Sequence, residues 1–201
     1  SPYEPARCRC ARRRSPAPPR RSGRSDKRLH PSRLQALGAR RQPQIPWRIL
    51  APVISTPLQP ALARASALLD RGRGSAATDL LEPLLESRSL KRLDELIIRA
   101  GLTEAWLLKG DPQRAASVLG RPPDQIREQI PQALLSTLWR LHGRIAYAVG
   151  EQSRAIALHA RALKHAEAAH DSRGIGLAHL ELVICYQKVG DHTIVREHLT
   201  E

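Results

Sequence analysis

The sequence predicts an all-α fold in which antiparallel helix pairs stack into a solenoid, and three observations predict it. Gly110-Asp111, Gly150-Glu151 and Gly190-Asp191 each end one apolar helical pattern and precede another, and they recur at intervals of 40 residues. A fixed period in this range is the signature of a stacked-repeat architecture. The connections are short, so consecutive helices are expected to pack antiparallel. Residues 1–60 carry 11 of the 16 prolines and 14 of the 33 Lys and Arg, against only 2 of the 19 Asp and Glu. Of the net charge of +14, +12 therefore belongs to residues 1–60, and the rest is nearly neutral at +2.

Residues 1–58 read as a disordered Arg/Pro-rich tail, because ARRRSPAPPRRSGRS has almost nothing to bury and its like charges repel. Three roles stay open for it: a plain solvated tail, an arm that neutralises nucleic-acid phosphates, or an Arg- and Ser-rich targeting leader. Cys8 and Cys10 lack a second pair or nearby histidines, which argues against zinc. Trp47, Ile49, Leu50, Val53 and Ile54 form a small apolar patch that is expected to dock on the first helix pair. No run approaches the roughly 20 apolar residues of a membrane span, and three cysteines make no disulfide framework. A cytoplasmic setting without membrane contact is expected.

The helical repeat domain is expected over residues 59–201, as about four helix pairs. In the first, Leu62, Ala65, Leu68 and Leu69 share a stripe, RGRG breaks the helix, and Pro83 should kink the second helix or shift its start. The second runs LKRLDELIIRAGLTEAWLLK to Gly110. Asp111-Pro112 then starts a short helix, with Asp as cap and Pro in the first turn. GRPPDQIREQIP is a longer connection with one helical turn expected near Asp124–Gln129. The third pair, QALLSTLWRLHGRIAYAVG and SRAIALHARALKHAEAAH, is the clearest. The fourth is RGIGLAHLELVICYQKVG and DHTIVREHLTE, with Asp191 as cap. The chain lacks Met and ends soon after the last helix begins, so it reads as a fragment with the array continuing beyond Glu201.

The residues at the helix contacts carry a resemblance. Trp139, Gly143, Gly150-Glu151, Ala155 and Ala162 in the third pair resemble a tetratricopeptide repeat (TPR). Small residues there let two backbones approach to about 8–10 Å. Tyr186, Gly190 and Asp191 repeat the pattern in part, with Val183 and Val195 in place of small residues. Trp106, Gly110, Asp111 and Ala115 carry it in the second pair, and Ala77 after Gly72 weakly in the first. The period of 40 exceeds that family's usual 34 and resembles the longer repeats of large bacterial signalling and transcription regulators.

The resemblance implies a right-handed superhelix whose first helices line a concave groove. The implied groove residues are Ile97, Ala100 and Glu104; Thr137, Arg140, Arg144 and Tyr147; and Leu177, Leu180, Ile184 and Gln187. The family's carboxylate clamp of Lys and Asn is absent in its usual form, because the chain has no Asn. Arg140 and Arg144, one turn apart, are offered either as bidentate holders of an acidic group or as a solvated basic edge.

No catalytic constellation is apparent. The histidines, including His159, His165 and His170, are read as surface groups without metal-binding spacing. Cys185 is read as a buried, inert thiol, and G-R-G at 72–74 lacks the Lys-Ser/Thr of a phosphate loop. The chain is therefore expected to be a non-enzymatic, cofactor-free scaffold that binds a protein or peptide. The alternative is a regulatory segment of a larger bacterial transcription regulator whose tail touches nucleic acid. Self-association through the exposed C-terminal repeat end is a further expectation.

Overall fold

The computed structural model describes residues 52, 54–86, 90–126 and 129–200. Among them are eight α-helices: α1 (Gln59–Asp70), α2 (Gly74–Leu85), α3 (Arg92–Leu108), α4 (Pro112–Leu119), α5 (Gln132–Ala148), α6 (Gln152–Ala168), α7 (Ser172–Val189) and α8 (His192–Thr200). The expected tail lies outside the described residues up to position 51, as do Val53 and the rest of the apolar patch before it. Ile54 is described, and it is buried in the core beside α1 and α3 residues. Next to it, Ser55 donates its N–H and hydroxyl to Asp94, at 3.0 and 2.6 Å, which ties the segment entering α1 to the first turn of α3.

One turn design builds most of the stack. After α3, Gly110 N–H donates to Leu107 O and Asp111 N–H to Trp106 O. After α5 the same two bonds join Gly150 to Tyr147 and Glu151 to Ala146, and after α7 they join Gly190 to Gln187 and Asp191 to Tyr186. This doubly bonded close satisfies carbonyls that the helix end leaves without partners, and it needs a left-handed residue at the hinge. Gly110, Gly150 and Gly190 supply φ of +76°, +90° and +87°, values at which a Cβ would clash with the following carbonyl. The same bonds close α1 at Gly72 and Arg73, and α6 at His170 and Asp171. His170 is the one non-glycine among the described residues at positive φ, at 51°. The expected caps form: Asp111 accepts from Arg114 N–H at 2.9 Å, and Asp191 from Thr193 and Ile194 N–H at 3.2 and 3.3 Å.

Two further expectations concern local structure. Pro83 is carried in the last turn of α2, which runs unbroken from Gly74. Among the described residues of the long connection, a 3-10 turn covers Pro123–Gln125, one residue earlier than the expected start, and residues 127–128 of the expected span lie outside the described residues. Each helix packs on the next, and the first members of successive pairs also touch: α1 meets α3, α3 meets α5 and α5 meets α7. Leu62, Leu81, Ile97, Ile98, Leu102, Leu134 and Leu141 are fully buried in a core shared by α1 to α5. Trp139, Ala146, Ala155, Leu158, Ala162 and Cys185 form a second core between α5, α6 and α7.

Candidate functional site

The small residues expected at helix contacts are buried between packed helices. Ala115, Ala155 and Ala162 are fully buried. Ser136 on α5 donates its hydroxyl to Ala162 O on α6 at 2.9 Å, a contact that a larger side chain at 162 would block. Gly143 is tighter still, because a Cβ there would stand 2.6 Å from Cε1 of His159. Trp106 is buried under two cations, Lys109 Nζ at 3.6 Å and the Arg114 guanidinium at 4.7 Å from its ring centre. Trp139 lies under Arg161 at 4.9 Å. Tyr186 stacks on His198 at 5.8 Å and so helps seat α8 on α7.

The Gly143 contact gives a direct test. Gly143→Ala gains about 1 kcal/mol of helix propensity, yet overpacking a filled site costs roughly 1–3 kcal/mol. A net loss of stability is expected in urea titration, with recovery when His159→Ala is added. Equal effects of Gly143→Ala in both backgrounds would show that the contact is not tight.

Where the sequence points to a groove, the structure places two levels. Ile97, Ala100 and Glu104 on α3, and Thr137 and Arg140 on α5, are buried. Arg144, Tyr147, Leu180, Ile184 and Gln187 are half-buried and form the accessible level. Leu180, Ile184 and Gln187 follow at i, i+4 and i+7 along α7, so they share a face. Lys188 Nζ stands 5.3 Å over the Tyr147 ring and brings the α7 end of that face against α5. The Tyr147 hydroxyl is held above its ordinary pKa by burial, then by Cys185 and Glu181.

Beneath this face lies a four-charge cluster. Glu104, with 0% of its surface exposed, receives Arg144 Nη1 in a short hydrogen bond and lies 3.8 Å from Arg140 Nη2. Glu181 on α7 meets Arg140 Nη1 at 3.6 Å and Arg144 Nε at 3.5 Å. Two guanidinium and two carboxylate groups thus alternate across α3, α5 and α7. Burial works against the Arg144 charge, but Glu104 and Glu181 outweigh it and raise its pKa above the ordinary arginine value. For Arg140, which is 2% exposed, burial dominates and lowers the pKa. Arg140 is thus no solvated edge, and the acids that meet both arginines belong to this chain.

His159 corrects the expectation of surface histidines. It is fully buried, and neither ring nitrogen has a hydrogen-bond partner among the described residues. Burial pushes its pKa down to about 4, with Glu181 opposing and Arg140 and Arg144 adding to the shift. The phase of α6 carried the signal: Ala155, His159, Ala162 and Ala166 follow one another at spacings of four, three and four, on one buried face. Cys185 is buried as expected, and burial and Glu181 push its thiol up to about 12. A thiol that stays protonated at neutral pH is a poor nucleophile.

Compared with protein-family models, with curated proteins and with solved structures, the chain matches none. No helix among the described residues is long and apolar enough to cross a membrane. The architecture defines an all-helical protein of consecutive helix pairs packed in sequence.

Proposed function

We propose that the helix pairs act as a TPR-like right-handed solenoid that holds a protein or peptide segment along the α5–α7 face, without catalysis. The observation that supports this reading is the succession of contacts α1–α3, α3–α5 and α5–α7. First helices that touch one another line the inner side of a stack, and inner surfaces are what repeat proteins use for binding. Tyr147, Leu180, Ile184 and Gln187 offer amphipathic and apolar contacts on that side, beside the Glu104–Arg140–Arg144–Glu181 charge cluster.

The test uses the full chain against an immobilised peptide library, with binders re-measured in solution. Tyr147→Ala with Ile184→Ala should weaken a true groove ligand at least about tenfold, the loss expected for central interface anchors, with unchanged helical circular dichroism. Binders indifferent to both substitutions would remove the groove assignment.

A second reading rests on the charge of residues 1–60, whose 14 basic residues face only 2 acidic ones. In it, the chain is a regulatory segment of a larger transcription regulator and the tail contacts nucleic acid. Affinity for duplex DNA should then fall steeply with salt, and deletion of residues 1–51 should abolish it. Retained, salt-insensitive binding rules the reading out.

A further inference from the structure

A concavity of about 510 Å³ opens between α3 and the end of α4. It shares no lining residue with the proposed partner groove. Its lining combines the aliphatic Leu96, Leu119 and Ile126 with Gln125 and three cationic side chains, Arg92, Arg99 and Arg121. The volume falls within the roughly 300–1,000 Å³ typical of small-molecule sites.

The rim is built with unequal constraint. Arg99 is locked: its Nε donates to Glu95 at 2.8 Å and its Nη1 to Val118 O at 2.9 Å, which ties α3 to the last turn of α4. Arg92 Nη1 donates to the other Glu95 oxygen at 2.8 Å. Burial works against the Glu95 charge, but these two arginines outweigh it and keep the carboxyl below the ordinary carboxylate range. Arg121 makes no ion pair among the described residues and is exposed at the mouth, directly after Gly120, which turns the chain there at φ +75°. Three guanidinium groups around one carboxylate leave this part of the rim an excess of two positive charges, beside the aliphatic side chains of Leu96, Leu119 and Ile126.

We propose that this concavity binds a phosphomonoester carried on an apolar or aromatic body. A phosphomonoester carries close to two negative charges at neutral pH and so balances the rim. Its oxygens match the forked donors of arginine, which a monocarboxylate fills less completely. The apolar body would rest mainly on the half-buried Ile126, beside the small exposed edges of Leu96 and Leu119. Arg121 is the adaptable closing contact, and Arg99 is the fixed wall.

The probe is phenyl phosphate, titrated into the full chain and followed by calorimetry and by amide chemical shifts. Saturable binding is expected, with shifts centred on Leu119, Gly120 and Ile126. Arg121→Ala should weaken it about tenfold, as expected for loss of a charge-assisted contact, and Arg121→Glu should abolish it. Because Arg121 is exposed, thermal unfolding should be unchanged in both variants. Inorganic phosphate, benzoate and phenol should each bind at least about tenfold more weakly, since each lacks the body, the second charge or the anion.

Equal binding of inorganic phosphate would overturn the apolar part of the proposal, and equal binding of benzoate its charge matching. Binding unaffected at Arg121, or shifts absent from the three named amides, would place the anion on the basic tail instead and defeat the proposal. Failure of all these probes would leave the α5–α7 groove reading untouched.

Discussion

Glu104→Gln should destabilise the fold by about 3–5 kcal/mol, the range found when one partner of a buried ion pair is removed. The substitution keeps the shape of the side chain and removes only its charge. Arg144 then faces a neutral amide oxygen in place of a carboxylate, and Arg140, 2% exposed, keeps Glu181 at 3.6 Å as its remaining acid in the cluster. A cluster that is neutral in the native chain is left with one excess positive charge, shared between the buried Arg140 and the half-buried Arg144. The effect should spread along the stack, because the four groups come from α3, α5 and α7, each the first member of its pair.

Urea titration followed by far-ultraviolet circular dichroism reads the loss, and a double mutant shows its origin. Adding Arg140→Met to Glu104→Gln leaves Arg144 facing Glu181, which restores neutrality. The double mutant should therefore be more stable than the sum of the single losses predicts, by at least about 1 kcal/mol of coupling. Strict additivity would show that the buried charges act independently and would remove the network from the account of stability.

The parts of the fold that are legible in the sequence are those fixed by local chemistry. A helix closed by two crossed hydrogen bonds needs a left-handed hinge residue, so glycine marks positions 110, 150 and 190 in sequence and in space. The 40-residue interval is visible again in the bond between Glu104 and Arg144, which hold equivalent positions in consecutive pairs. Side chains paired across pairs are less legible. An Arg–x–x–x–Arg spacing on one helix describes a solvated edge and a buried cluster equally well. The acids that decide between them come from other helices, Glu104 on α3 and Glu181 on α7. Ser55 and Asp94, 39 residues apart, pose the same difficulty, since no local pattern joins them.

Some of what was missed was nevertheless present. Once the period is known, placing residue 104 over residue 144 sets an acid against a base in adjacent repeats. That juxtaposition is characteristic of pairing between repeats more than of ligand capture. His159 shares the phase of Ala155, Ala162 and Ala166, and this outweighs its polarity. A small neighbour, Gly143, makes the room for it. The cavity beside Arg121 could not be anticipated, because it depends on where α4 ends and on how the chain turns at Gly120.

His159 should make the fold acid-labile in a defined window. Its ring is neutral in the native protein down to about 4, against an ordinary value of 6.5. The unfolded chain takes up a proton as pH falls below 6.5 and the native chain does not, so proton binding draws the equilibrium toward the unfolded state. The stability held by the neutral ring is complete above that window, is lost as pH falls through it, and changes no further once both states are protonated. Between pH 7 and pH 4.5 the loss from this one group is about 2 kcal/mol, at 1.36 kcal/mol per unit of difference. The charged groups facing the ring do not cancel it: Glu181 on α7 favours the proton, while Arg140 and Arg144 on α5 and burial oppose it.

Carboxylates held below their ordinary range, such as Glu95, also weaken the fold in acid, so the prediction is a difference between two proteins. His159→Leu has a similar volume and cannot titrate. Urea titrations of both chains at the two pH values should show the native protein losing about 2 kcal/mol more than the variant. The same loss in both would mean that the imidazole is reached by water or protonated in the fold, and the packing of α6 against Gly143 would have to be redrawn.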